Sequence, residues 1–167
     1  MKQNMIKNMM KLFTIFLFTA VLFTNSAFAQ DIDEQTQEGN KEAMFAAAEK
    51  KILDGNYEAA LKIYDSMLEN IRPVDYKIFE MKGIALSSLR LETTLAMQPQ
   101  QNTVARDPNH LNELSMLEFY KALESNPNSV LALNGMGVGF GNFGEYSEAK
   151  QYFTKSLTID PQNEVTK

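Results

Sequence analysis

The sequence predicts an all-α fold in which short antiparallel helix pairs stack side by side. Three observations carry this expectation. Between Val130 and Asn163, two apolar patterns run at helical spacing on either side of a glycine-containing turn. Leu133, Met136, Gly137 and Phe140 form the first, and Ala149, Phe153, Ser156 and Leu157 the second. An upstream segment, DGNYEAALKIYDSML, is visibly related to FGEYSEAKQYFTKSL of that stretch, so the unit is repeated. The chain also has no cysteine, which excludes disulfides, thiolate metal sites and cysteine nucleophiles and leaves packing to hold the helices together.

In chain order, Lys2, Lys7 and Lys11 precede the apolar run Leu12–Thr24 and the small-residue triplet Ala27-Phe28-Ala29. That layout predicts a secretory signal peptide over 1–29, with cleavage after Ala29 and an exported product. The run is shorter than the roughly 20 residues of a membrane span, so no stable insertion is expected after cleavage. No cysteine follows it, which argues against a lipid anchor. The whole chain carries a net charge of −5, and loss of the three leader lysines makes the mature part more acidic still. Such a balance argues against neutralising a nucleic-acid backbone and against adsorbing to anionic lipid. Residues 30–40 are polar, acidic and non-periodic, and read as a flexible linker. Asp31, Asp33 and Glu34 lack the glycine and the distal glutamate of an EF-hand calcium loop.

The first helix pair is expected over 41–74, with helices Lys41–Leu53 and Tyr57–Ile71. Here Ala48, Gly55, Tyr57, Ala60 and Tyr64 take the places of Gly137, Gly144, Tyr146, Ala149 and Phe153. The second pair, over 75–128, is interrupted. Phe79, Gly83 and Leu86 mark its first helix, which starts near Asp75 and reaches toward Leu95, while Phe119, Ala122 and Pro127 end its second, Leu111–Ser125. Gly83 and Pro127 stand about 20 positions further apart than Gly137 and Pro161, which places an insertion between Ser88 and Asn112. The polar stretch Gln98–Asn109, bounded by Pro99 and Pro108, is its expected surface loop. The third pair, over 129–163, turns at Asn142–Tyr146 and closes with the helix Tyr146–Thr158 before Pro161.

The third unit resembles a tetratricopeptide repeat (TPR), a helix pair of about 34 residues with large and small residues at fixed places. Leu133 stands for the family tryptophan, and Gly137, Phe140, Gly144, Tyr146, Ala149, Phe153 and Pro161 match in type and spacing. Ser156 stands where alanine is usual. Across about three repeats, the resemblance implies a TPR-type α-solenoid over 41–167 with a loop insertion in the middle repeat. It also implies a partner groove along the first helices of the pairs. By family position, the places that grip a chaperone-type C-terminal carboxylate hold Phe45, Glu49, Met81, Leu131 and Gly135, none of them basic. The implied groove instead holds Phe45, Glu49, Lys77, Glu80, Ile84, Asn134, Val138 and Asn142, a surface suited to an apolar or extended segment.

Other motifs carry less chemistry. Gly139–Gly144 fits G-x-G-x-x-G, but a helical pattern rather than a strand precedes it and its last glycine is the repeat's turn, so no dinucleotide site is expected. The single histidine, His110, has no second ligand or nucleophile beside it. No cofactor, metal or catalytic set is expected. The sequence reads as a non-catalytic, extracytoplasmic module that binds a protein or peptide. An alternative is a self-assembling repeat protein that stacks through its last helix. Gln162–Lys167 are too few for a capping helix, so an uncovered face is expected there, with Tyr152 and Ile159 as its candidate interface residues. A third reading, a small exported enzyme, would place its site in the Gln98–Asn109 loop.

Overall fold

The computed structural model describes residues 37–96 and 107–163. The expected signal peptide, the linker up to residue 36 and most of the expected loop, residues 98–106, lie outside them. The chain divides into two units, Met1–Glu42 and Ala43–Lys167. Residues 37–42 of the first are helical, and Lys41 pairs there with Glu38 at 2.8 Å.

Among the described residues there are six helices and no strand. They are α1 over 37–53, α2 Tyr57–Asn70, α3 Tyr76–Ala96, α4 Pro108–Ser125, α5 Val130–Asn142 and α6 Tyr146–Ile159. The expected linker is thus corrected at its end, because residues 37–40 are helical. Polar composition is shared by loops and by solvated helix turns, and the i, i+3 pair of Glu38 and Lys41 favours the turn.

The first and third pairs turn in the same way. After α1, Gly55 takes φ 72° and donates its N–H to Ile52 C=O, while Asn56 N–H reaches Lys51 C=O. After α5, Gly144 takes φ 80° and donates to Gly141 C=O, while Glu145 N–H reaches Phe140 C=O. The left-handed residue that closes a helix in this way is most easily glycine, which has no Cβ to clash. Asn56 then caps α2 by accepting from Ala59 N–H.

The insertion in the middle pair is only partly loop. α3 runs past Ser88, the counterpart of Asn142, to Ala96. α4 begins at Pro108, with the Asp107 carboxylate accepting from Asn109 N–H. Pro108 and Asn109, expected in the loop, therefore form the first turn of α4. Proline suits that position, where its missing N–H has no partner to lose.

One pairing of a ring with a small residue recurs in all three pairs. Tyr64 and Ala48 share the fully buried cluster of α1, α2 and α3. A Cβ on Gly83 would lie 2.7 Å from Phe119 Cε1, and one on Gly137 would lie 2.5 Å from Phe153 Cε1. In the second and third pairs a ring on the second helix seats on a small residue of the first, and in the first pair the matching ring and small residue share one buried cluster. Adjacent pairs are also tied by charge. Lys82 on α3 bonds Asp65 on α2 at 2.8 Å and Glu118 on α4 at 3.3 Å, and Lys121 joins Glu118 at 3.0 Å. Burial works to lower the Lys82 ammonium, but the bonds and charges of Asp65 and Glu118 outweigh it and hold it above the ordinary lysine value.

Candidate functional site

The candidate site lies where α3 and α5 face one another over α4. Its geometry starts at the head of α5. Ser129 caps that helix by accepting from Ala132 N–H at 3.0 Å, and its hydroxyl donates to Glu80 Oε1 on α3. This fixes the start of α5 against the second turn of α3. Burial pushes the Glu80 carboxyl up, Asp75 adds to the shift, and the Ser129 bond and Lys77 oppose it.

Further along α5, alternate glycines face different helices. A Cβ on Gly135 would fall 2.3 Å from Phe119 Cε2, and one on Gly139 would fall 2.3 Å from Met116 Cγ, so both glycines meet α4. Gly137 meets Phe153 of α6, and nothing lies within 4 Å of the Cβ position of Gly141. Asn112 of α4 donates to the Gly139 carbonyl at 2.9 Å and accepts from Asn142 Nδ2 at 2.8 Å. The alternation of glycines thus lets α5 approach α4 and α6 closely, and Gly141 alone takes no part in it.

Between α3 and α5 these contacts leave a cavity of about 480 Å³. The ring of Phe119 and the bare backbone of Gly135 belong to its lining. Ile84, Leu91, Leu131 and Val138 give it apolar walls, and Ser87, Ser88, Arg90, Asn134 and Asn142 supply the polar groups. Leu91, Leu131 and Val138 remain substantially exposed at its rim. Two polar atoms of the lining have no hydrogen-bond partner among the described residues, Arg90 Nε and Asn134 Oδ1. A mostly apolar hollow with a few unsatisfied polar groups is the usual form of a binding site.

The structure divides the eight residues of the expected groove. Ile84, Asn134, Val138 and Asn142 come together around the cavity. The other four do not line it. Phe45 is half-buried between α1 and α2, its ring centroid 6.4 Å from that of Tyr64. Glu80 is buried at 8% exposure and held by Ser129. Glu49 and Lys77 are exposed on α1 and α3. The expected C-terminal interface is corrected at Tyr152 only. Tyr152 stacks on Phe140 with centroids 5.4 Å apart and interplanar angle 17°, which turns its ring toward α5 rather than to an open face. Ile159 stays 39% exposed. Gly139–Asn142 of the G-x-G-x-x-G match are helical, as in no dinucleotide-binding turn. His110 is exposed beside Glu113 at 3.6 Å. No group of three or more metal-ligating side chains, and no helix long and apolar enough to cross a membrane, occurs among the described residues.

No family model matches the sequence, and no curated protein does. Solved structures match the fold. The TPR domain of Arabidopsis OM64 superposes with a TM-score of 0.59 at 15% identity, over 75% of this chain and 86% of that one. The fold is a TPR-type α-solenoid. Two monomeric mutants of IFIT1, one with Gppp-AAAA and one with m7Gppp-AAAA, match with a TM-score of 0.60 at 18% identity, over 72% of this chain and 26% of theirs. In TPR terms the cavity lies between the first helices of the second and third repeats. Ser87, Ser88, Arg90, Leu91 and Phe119 are the lining residues that sequence reasoning missed. Phe119 was visible as the counterpart of Phe153. Arg90 and Leu91 lie beyond Ser88, where the insertion breaks the repeat register.

Proposed function

We propose that the protein is a non-catalytic, extracytoplasmic scaffold that captures an extended protein segment in the cavity between α3 and α5. The observation that carries this reading is the cavity itself, with apolar side chains still exposed at its rim and an unpartnered amide oxygen in its wall. Solvent-exposed apolar rims around a hollow of this size are worth covering, at roughly 25 cal/mol per Å² removed from water. The TPR fold supports a peptide-binding role by analogy. The extracytoplasmic part rests on Lys2, Lys7, Lys11, the run Leu12–Thr24 and Ala27-Phe28-Ala29.

The test places a photo-crosslinking amino acid at Val138 in the native host and, separately, at Leu117 on α4, which is also exposed but outside the cavity. A discrete partner crosslinked from Val138 and not from Leu117 supports the reading. Crosslinking from Leu117 alone moves the functional surface to α4. Intact mass of the protein recovered outside the cytoplasm tests the location, and a species that still carries Met1–Ala29 overturns it.

A further inference from the structure

The cavity between α3 and α5 has a specific electrostatic character. Among the described residues, Arg90 is the one charged residue in its lining, and no acidic side chain lines it. No ion pair holds the Arg90 guanidinium among the described residues, and its Nε lacks any hydrogen bond. Elsewhere in the fold, the partly buried Lys82 has two carboxylate partners, so a cation left without one stands out. Asn134 is 93% buried by its 7% exposure, and its Oδ1 is likewise unpartnered while its Nδ2 donates to Asn163 at 3.3 Å. Desolvated polar groups without partners cost free energy that a bound ligand can recover. The terminal torsion of asparagine and the long arginine side chain are soft enough to turn toward such a ligand.

From this we infer that the site selects an extended peptide segment in which a bulky apolar residue lies next to an internal aspartate or glutamate. The inference rests on the peptide-binding reading given above. The apolar side chain enters the cavity against Phe119, Ile84 and Val138. The carboxylate pairs with the Arg90 guanidinium, which presents forked donors to it. A main-chain N–H of the segment donates to Asn134 Oδ1. An internal acid is favoured over a chain terminus because apolar surface continues beyond Arg90. Leu91 and Leu95 are 56% and 71% exposed there, and Leu91 also lines a second hollow with Tyr57 and Gly55. A segment that covers this surface extends past its carboxylate.

Panning a library of randomised displayed peptides, with amidated and free C-termini, on the full-length protein tests the proposal. The expected result is enrichment of a bulky apolar residue adjacent to an internal Asp or Glu. Binding of a selected peptide should fall about tenfold when its acid is made an amide, as loss of a charge-assisted hydrogen bond requires. Arg90→Glu should reverse the preference at that place to Lys or Arg and retain the apolar preference, with unchanged helicity as the check on folding. Enrichment of apolar peptides without acid selection, or an acid preference unaffected by Arg90→Glu, overturns the inference and leaves peptide capture standing. Selection only of free C-terminal carboxylates overturns the internal acid. A library that yields no binder overturns both readings.

Discussion

The ring of Phe119 lies against α5 because Gly135 has no side chain, and a Cβ there would fall 2.3 Å from Cε2 of the ring. At the opposite edge of the same ring, a Cβ on Gly83 of α3 would fall 2.7 Å from Cε1. Phe119 is only 2% exposed and its ring is held between the two glycines. One aromatic side chain thus sets the separation of three helices and helps line the cavity. Gly135→Ala should therefore destabilise by about 1–3 kcal/mol through overpacking, less the helix propensity that alanine adds. Gly141→Ala is the matched control. Nothing lies within 4 Å of its Cβ position, so it should stabilise by about 1 kcal/mol. Urea denaturation of both variants decides it, and equal shifts would mean that the Phe119 contact does not constrain α5.

The three pairings of a ring with a small residue were legible in the sequence because size alternation and spacing repeat, and Tyr64, Phe119 and Phe153 fell on one register. The helix ends at Gly55 and Gly144 were legible for the same reason. Glu80 was not, because its position on the repeat marks an outward face, and only the arrival of Ser129 from another repeat buries it. Tyr152 was misplaced because its stacking on Phe140 depends on the rotation of α6 about its axis, which spacing alone leaves open. Arg90 was lost with the register at the insertion. Half of the expected groove residues line the cavity, and those that do not are spent on packing, capping or solvation.

Ser156 occupies the place where the repeat usually has alanine. Its side chain is fully buried and its Oγ has no partner among the described residues. A buried hydroxyl without a hydrogen bond costs about 1–3 kcal/mol, and alanine fits the same space. Ser156→Ala should raise the thermal midpoint, with a gain near the lower end of that range because a small void replaces the oxygen. A lowered midpoint in calorimetry would mean that the hydroxyl has a partner in solution.

Tyr64 presents a related case with a pH signature. Its side chain is fully buried, its hydroxyl has no partner among the described residues, and burial followed by the charge of Glu49 pushes the phenol up to about 12 from 10.0. The folded chain then holds that proton more tightly than the unfolded chain between these values, so stability falls as pH rises through the interval. Tyr64→Phe should flatten this alkaline loss and add about 1 kcal/mol at neutral pH. Denaturation curves at neutral and alkaline pH check both parts, and a parallel alkaline decline in the two proteins would assign the loss to other groups.

Glu80 predicts the opposite end of the scale. Burial raises its carboxyl above the ordinary value of 4.5. The folded state therefore binds the proton more tightly, and its advantage is complete below the ordinary value and lost as pH rises through the raised one. At neutral pH the ionised carboxylate is a cost that the Ser129 hydroxyl only partly offsets. Glu80→Gln keeps an acceptor for that hydroxyl and removes the charge. It should be more stable than the parent at neutral pH, and the difference should shrink as the solution is acidified toward the ordinary value. Ser129→Ala, which loses both the bond to Glu80 and the cap on α5, should be less stable than the parent throughout. A Glu80→Gln advantage that is independent of pH would separate it from ionisation.

The last prediction concerns the rim of the cavity. Val138 is 43% exposed, so its replacement by lysine should change stability by no more than about 0.5 kcal/mol. The same change places a charged ammonium where an apolar segment must be desolvated, at a site that already holds the cation of Arg90, without an ion pair among the described residues. Val138→Lys should therefore reduce capture of a selected peptide sharply while circular dichroism and the melting curve stay the same. Leu117→Lys, at 49% exposure on α4 and outside the cavity, is the matched surface change and should leave binding intact. Calorimetric titration of one peptide into the parent and both variants separates the cases. If Leu117→Lys abolishes binding and Val138→Lys does not, the exposed apolar face of α4, where Tyr120 is 52% exposed close by, is the interaction surface instead.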